Sequence, residues 1–249
     1  LADFWVQNWL DTQLAGSSYL TETINDVGRK VWTVEPDALQ PIHEWYRGRC
    51  FIYDNTQAEM NTPEKEMETL LATIEQAVVQ KGIEMVIVDN LMTAMDGASS
   101  TDGLYMQQSN FVGQLKRLAM KYKVVVLLLT HPRKQGQGEN KSKMLDNDDV
   151  SGSADITNKV DVVLSYGRAT NKPDVDSLLQ VMKNRLYGEI RKDKDAIELK
   201  FSEKTKRVFS AKSRMPVHYG WEKIKSPEEE KQGTSDIYDE LNELDELPF

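Results

Sequence analysis

Six consecutive valine and leucine residues, at positions 124–129, form the strongest structural signal in this 249-residue chain. A run with no polar position indicates a strand buried on both faces, as in a parallel sheet covered by helices. A second apolar run at residues 84–88 precedes it, and a helical pattern at residues 104–122 lies between the two. This order of strand, helix and strand predicts an α/β architecture around a mostly parallel sheet.

The remaining periodicities extend this pattern in both directions. Apolar spacing and end signals such as Gly16, Pro63 and Gly82 predict three more helices, at residues 1–16, 36–46 and 62–80. Short apolar runs predict further strands at residues 50–53, 160–165, 177–182, 196–201 and 207–210. The late strands are short and separated by polar turns, so we expect antiparallel additions at one edge of the sheet.

Composition removes several classes of protein and divides the chain. One cysteine, Cys50, excludes an internal disulfide framework, and three histidines argue against a metal cluster. No apolar run reaches the roughly 20 residues that span a bilayer, so no membrane role is expected. Residues 226–249 hold nine acids and one base, whereas residues 183–214 hold eleven bases and five acids. We therefore predict a domain at 1–225 and a disordered acidic tail at 226–249.

Polar side chains follow both buried strands. Asp89 ends the first strand, where open α/β sheets bind ligands and phosphate-loop NTPases hold magnesium through its water shell. His131 follows the second strand and can report on a γ-phosphate. Turn chemistry after Asp89 and helix capping by His131 are the structural alternatives.

Two later groups add to this picture. The small residues Ser151, Gly152 and Ser153 let a backbone approach a ligand closely, although Ser153 also suits a helix N-cap. Lys183 and Arg185 stand two apart on a predicted extended segment, so both point to one side and can reach one polyphosphate. A solvated strand edge is the alternative for this pair.

In order and spacing, four segments resemble the RecA-like motor domain of DnaB-type replicative helicases, nearest to bacteriophage primase–helicases and the mitochondrial replicative helicase. The segments are VIVDNL, VVVLLLTHPRK, DVSGSADITNKVDVVLSYGR and MKNRLYGEIRKDKDAIELKF. The resemblance implies an NTP-driven ring, expected to be a homo-hexamer, that translocates on single-stranded DNA and unwinds duplex DNA. It implies ATP or dTTP as the nucleotide and Mg²⁺ as the metal.

The resemblance also implies roles for individual residues. Asp89 corresponds to the magnesium-linked acid and His131 to the γ-phosphate sensor. Lys183 and Arg185 correspond to the basic pair that a neighbouring subunit inserts against the γ-phosphate. The implied nucleotide-binding residues are Arg168 and Phe201, which sandwich the base, and Asn158 at a conformational-relay position. The implied DNA-binding loop contains Arg133, Lys134, Lys141, Lys143, Ser151, Gly152 and Ser153.

One expected motif is missing. No G-x-x-x-x-G-K-[ST] occurs in the 249 residues, although this loop cradles phosphates in the family. The chain also starts with Leu1 rather than Met, so we expect a piece of a longer protein, inactive alone, with the loop and a catalytic Glu upstream. The alternatives are a RecA-like recombinase or ATPase, and a non-catalytic adaptor that acts through its tail. The expected location is the cytoplasm of a bacterium or phage-infected cell, with the mitochondrial matrix as the alternative.

The acidic tail ends in Phe249, and apolar side chains alternate with its charges. It resembles the tails with a terminal Phe of single-stranded-DNA-binding proteins and phage helicases. The expected partner is a replicative DNA polymerase or another replisome protein, with Phe249 entering a pocket and the acids raising the association rate. A solubilising segment is the alternative.

Overall fold

The computed structural model describes residues 3–53, 63–91, 101–131, 154–170, 172–212 and 221. In chain order the helices and strands are α1 (Asp3–Ala15), β1 (Leu20–Ile24), β2 (Lys30–Val34), α2 (Pro36–Tyr46), α3 (Pro63–Lys81), β3 (Met85–Val88), α4 (Thr101–Tyr122), β4 (Val125–Leu128), α5 (Ala154–Lys159), β5 (Val162–Arg168), β6 (Ser177–Asn184), β7 (Ile197–Phe201) and β8 (Val208–Ser210). All four predicted helices are present.

The chain divides into two compact units. The first comprises Leu1–Tyr53 and Leu199–Phe249, and the second comprises Asp54–Glu198. The boundary between them falls within β7. The predicted division between residues 225 and 226 lies outside the described residues and stays a prediction.

The first unit contains a hairpin that the sequence analysis did not predict. Strands β1 and β2 pair antiparallel from Leu20 opposite Val34 to Ile24 opposite Lys30. The side-chain oxygen of Asn25 accepts hydrogen bonds from the backbone N–H groups of Val27 and Arg29, at 3.2 and 2.9 Å. This local turn chemistry closes the hairpin.

Helices α1 and α2 pack with this hairpin around a small core. The core residues are Leu14, Ala15, Leu20, Val34, Ala38 and Ile42. Trp221 packs against this core, and its indole N–H donates to the carbonyl oxygen of Leu14 at 3.1 Å. The part of β7 that pairs with β8, from Leu199 to Phe201, also belongs to this unit, with Phe201 opposite Val208.

The second unit is built on the parallel pair of β3 and β4, with Val88 opposite Leu128. Its core consists of Ile74, Val78, Val88, Leu91, Phe111, Val112, Leu115, Leu118 and Ile156, contributed mainly by α3 and α4. Phe111 is fully buried, and burying such a side chain stabilises the fold by about 1.5–3 kcal/mol. The helices thus fix the strands whose ends carry the candidate site.

Two predictions about apolar runs are wrong. The run at 124–129 is not buried on both faces, since Val126 and Leu128 pack on the core while Val125 stays 60% exposed. In the part of the chain that the structure describes, helices α3 and α4 share a core with Val126 and Leu128. Residues 50–53 do not form a strand: in the part of the chain that the structure describes, no strand pairs with them. Four apolar residues without ladder hydrogen bonds do not make a strand.

The predicted late antiparallel strands are confirmed. Strand β5 pairs antiparallel with β6, from Val162 opposite Asn184 to Arg168 opposite Ser177, with a register shift after Val163. Together with the parallel pair and the flanking helices, these strands confirm the α/β fold class.

Candidate functional site

Strands β3 and β4 end side by side, so the residues that follow them meet at one edge. The backbone N–H of Leu129 donates to the carbonyl of Val88 at 2.9 Å, and that of Leu91 donates to Leu129 at 3.0 Å. The backbone pairing therefore continues past the assigned strands. It places Asp89 and Asn90 beside Thr130 and His131, as expected for the carboxyl ends of parallel strands.

The side chains of Asn90 and His131 contact each other directly. The Asn90 amide nitrogen lies 3.2 Å from Nε2 of His131. The imidazole tautomer sets the direction of this bond: an amide N–H donates to a bare Nε2, and a turned amide accepts from Nε2–H. His131 is exposed. Sequence reasoning did not select Asn90, although its position next to Asp89 at a strand end was the available signal.

Asp89 is exposed at the same edge and makes no hydrogen bond or ion pair with any described residue. Mg²⁺ usually takes only one or two protein carboxylates, keeps several waters and binds substrate phosphates. A single open carboxylate fits that requirement. No three His, Cys, Asp or Glu side chains cluster as a metal site in the described ranges.

Lys183 lies on β6 and is held by helix α5. Its ammonium donates to the carbonyl of Thr157 and, at 3.5 Å, to that of Asn158. Both carbonyls belong to the C-terminal turn of α5, which favours a cation. Burial lowers the pKa of Lys183, and the charge of Arg185 lowers it further.

Arg185 has a different environment. Strand β6 ends at Asn184, so the predicted extended segment does not include Arg185, which begins a turn. The Asn184 side-chain oxygen ends the strand by accepting backbone N–H groups of Leu186 and Tyr187, both at 3.2 Å. The backbone N–H of Arg185 donates to the carbonyl of Asp161 at 2.9 Å. Its guanidinium is exposed and makes no hydrogen bond or ion pair in the described part of the chain.

The proposed base-binding residues fall in separate units. Arg168 is exposed at the end of β5 in the second unit. Phe201 ends β7 in the first unit, where the Lys206 ammonium lies 5.9 Å from its ring centre. Asn158 is in α5, and its carbonyl contacts Lys183. The roles of these three residues stay predictions.

The implied DNA-binding residues and the tail cannot be placed. Arg133, Lys134, Lys141, Lys143, Ser151, Gly152, Ser153 and Phe249 lie outside the described residues. Of the helices that the structure describes, none combines the length and apolar character needed to cross a bilayer.

Comparisons with known proteins address the fold. A profile for an AAA domain matches residues 16–137, just under half of the chain. The chain resembles a solved structure of a DnaB-like replicative helicase, described with that helicase's interactions with primase, at a TM-score of 0.60 and 16% identity. The match covers 84% of this chain and 49% of the other, so the chain spans about half of that helicase. No curated protein matches.

The structural match agrees with the resemblance expected from the four sequence segments. The chain therefore has the fold of a RecA-like domain of the DnaB helicase type.

Proposed function

We propose that the chain is the motor part of an NTP-driven, ring-shaped DNA helicase. The observation that carries this proposal is the meeting of Asp89, Asn90 and His131 at the carboxyl edge of β3 and β4. An open carboxylate and an imidazole held by a neutral amide are the groups needed beside a metal–triphosphate. The fold supports the same conclusion.

In this proposal Asp89 would hold Mg²⁺ through the water shell of the ion. The bound ion would neutralise charge on the β- and γ-phosphate oxygens of ATP or dTTP. His131 exchanges its bond to Asn90 for one to the γ-phosphate and returns to Asn90 when the phosphate leaves. The imidazole thus couples the state of the nucleotide to the backbone at residues 89–91.

Arg185 completes the site from a neighbouring subunit. It is exposed, and the carboxylate of Asp161, whose backbone carbonyl accepts the Arg185 N–H, is paired with Lys116. A guanidinium presented at a surface suits the stabilisation of charge on a phosphoryl group in transfer. This role requires a closed ring, for which six subunits are proposed.

The phosphate loop is proposed to come from a segment of a longer polypeptide, because the 249 residues hold no such motif. The test is nucleotide hydrolysis and strand separation by the full-length gene product, with and without single-stranded DNA. We expect DNA-stimulated hydrolysis that needs Mg²⁺. A full-length product that has no phosphate loop and binds no nucleotide would instead support the adaptor function.

DNA contact is proposed for the segment between β4 and α5. Replacing Arg133, Lys141 and Lys143 together by Ala should weaken single-strand binding and reduce the salt slope by about 2, since each phosphate contact contributes roughly 0.7. Equal affinities for the variant and the wild type at several salt concentrations would remove these residues from the DNA path.

The acidic tail is proposed to bind a replisome protein in the same compartment, most simply the replicative DNA polymerase in a bacterial or phage-infected cytoplasm. Deleting Phe249 alone should weaken this binding and leave hydrolysis unchanged. Unaltered affinity for the polymerase in a binding titration would reduce the tail to a solubilising segment.

A further inference from the structure

Helix α4 contacts the segment around α5 at two positions seven residues apart. Ser109 and Lys116 are separated by about two helical turns, so they lie on the same face of α4. The Ser109 hydroxyl donates to the Asp155 carboxylate at 3.2 Å, and the Lys159 ammonium donates to the Ser109 carbonyl at 3.0 Å. Ser109 therefore holds α5 against α4.

On the same face of α4, Lys116 holds Asp161, whose backbone supports Arg185. The Lys116 ammonium pairs with the carboxylate of Asp161, two residues beyond α5. The carbonyl of Asp161 accepts the backbone N–H of Arg185 at 2.9 Å. Asp161 is thus bound on both sides, by α4 through its carboxylate and by the turn after β6 through its backbone.

This local cluster holds three cations and one anion. The charges of Arg185, Asp161 and Lys116 all act on Lys183, and the paired side chains of Lys116 and Asp161 are 28% and 38% exposed. A carboxylate in such a place forms a charge-assisted pair with whichever cation reaches it. Because Lys116 engages it, the carboxylate is withheld from Arg185, whose guanidinium stays available at the surface.

We infer that Lys116 is a positioning residue for hydrolysis in the neighbouring subunit: by engaging the Asp161 carboxylate, it keeps Arg185 presented instead of paired within its own chain. This inference rests on the proposed function, in which Arg185 acts in trans. Lys116 itself touches no substrate in this account.

The first test replaces Lys116 by Met in the full-length protein, keeping the aliphatic stem. We expect the turnover number to fall on the order of 100-fold, as for a misplaced catalytic group, with little change in KM. Lys116→Arg should retain most of the activity. Lys121→Met is the matched control, because Lys121 lies on the same helix and pairs with Glu75 at 2.8 Å, away from Arg185.

The second variant isolates the mechanism. In Lys116→Met with Asp161→Asn, no carboxylate remains to capture Arg185, so most of the lost rate should return. A double variant no faster than Lys116→Met would overturn the inference, since loss of packing alone is not repaired by a second substitution. Thermal melting of each variant shows whether a lower rate comes from unfolding of the protein.

Subunit mixing gives the direct readout. Lys116→Met subunits keep an intact nucleotide site, and Asp89→Ala subunits keep an intact finger, so mixed rings should exceed both parents in hydrolysis. A mixture of Arg185→Ala with Asp89→Ala is the reference. If the reference pair recovers activity and the Lys116 pair does not, this inference fails alone; if neither recovers, the trans role of Arg185 and the inference fail together.

Discussion

The edge of β3 and β4 and the turn after β6 both carry groups suited to a triphosphate, but they present them in opposite ways. At the first, Asn90 and His131 bind each other within 3.2 Å. At the second, Lys183 is bound by α5 while the Arg185 guanidinium, two residues on, stays exposed. At the edge of β3 and β4, the His131 side chain is thus already hydrogen-bonded. At the turn after β6, Lys183 is hydrogen-bonded and Arg185 is exposed.

Under the proposed function, this difference bears on how the two sites of the motor would act. A sensor must rest in a defined state when no phosphate is present, and the hydrogen bond between Asn90 and His131 supplies that state. A finger must remain unpaired in its own chain until a neighbour binds nucleotide. Under the proposed function, this contrast fits a role for His131 at the nucleotide of its own subunit and for Arg185 at that of the next.

The largest expected effect concerns the exposed side of this contrast. Replacing Arg185 by Ala should lower the turnover number by about 10³-fold or more, the range of arginine fingers, with nucleotide affinity largely kept. Arg191→Ala is the control, because Arg191 is also an exposed arginine but pairs with Glu189 at 2.6 Å. Steady-state hydrolysis and nucleotide titration measure the two quantities. Near-normal turnover in Arg185→Ala would leave this residue as a solvated surface group.

An intermediate effect is expected at the edge of β3 and β4, where Asn90 and His131 bind each other. His131→Ala should slow hydrolysis by about 10²-fold, whereas Asn90→Ala removes one hydrogen bond of about 1 kcal/mol and should cost less than tenfold. Because the two side chains touch, the double variant should be little worse than His131→Ala. Single-turnover rates test this coupling, and strictly additive losses would show that the pair does not act together.

The smallest expected effect is a shift in the pKa of Lys183. This pKa lies below the ordinary 10.5 because of burial and, next, the charge of Arg185. Between the lowered folded pKa and the unfolded one, the unfolded chain binds more protons, so stability rises with pH in that window. Arg185→Gln should raise the pKa of Lys183, and Asp161→Asn should lower it. NMR titration of the Lys183 side chain follows both shifts. If Arg185→Gln leaves the pKa of Lys183 unchanged, the charges of these two residues do not interact.

The same two regions show what sequence can and cannot predict here. Asp89 and His131 were predicted to follow two parallel strands, and the parallel pairing of β3 and β4 brings those strand ends to one edge. The roles of the two residues stay predictions. Arg185 was predicted on an extended segment, but the Asn184 side-chain oxygen accepts two backbone N–H groups and ends β6 one residue earlier. The partner of Lys183 is a pair of backbone carbonyls about 25 residues away, which no local pattern encodes.

Strand prediction followed a similar division. Long apolar runs located β3 and β4. Their burial was overestimated, because the sequence of a strand does not show which helices will pack on its two faces. The β1–β2 hairpin was missed although Asn25 and Gly28 mark a turn. Strand β1 has three polar residues between Leu20 and Ile24 and buries only Leu20, so its apolar signal is weak.

The most direct test of the account is hydrolysis by the full-length protein carrying Asp89→Asn, which removes the charge and keeps the shape. Asp26→Asn, in the exposed turn of the β1–β2 hairpin, is the matched control. The account predicts a loss on the order of 10²–10³-fold in Mg²⁺-dependent turnover for Asp89→Asn alone, since metal-borne charge stabilisation is worth several kcal/mol. Turnover equal to that of Asp26→Asn would contradict the assignment of this strand edge as the nucleotide site.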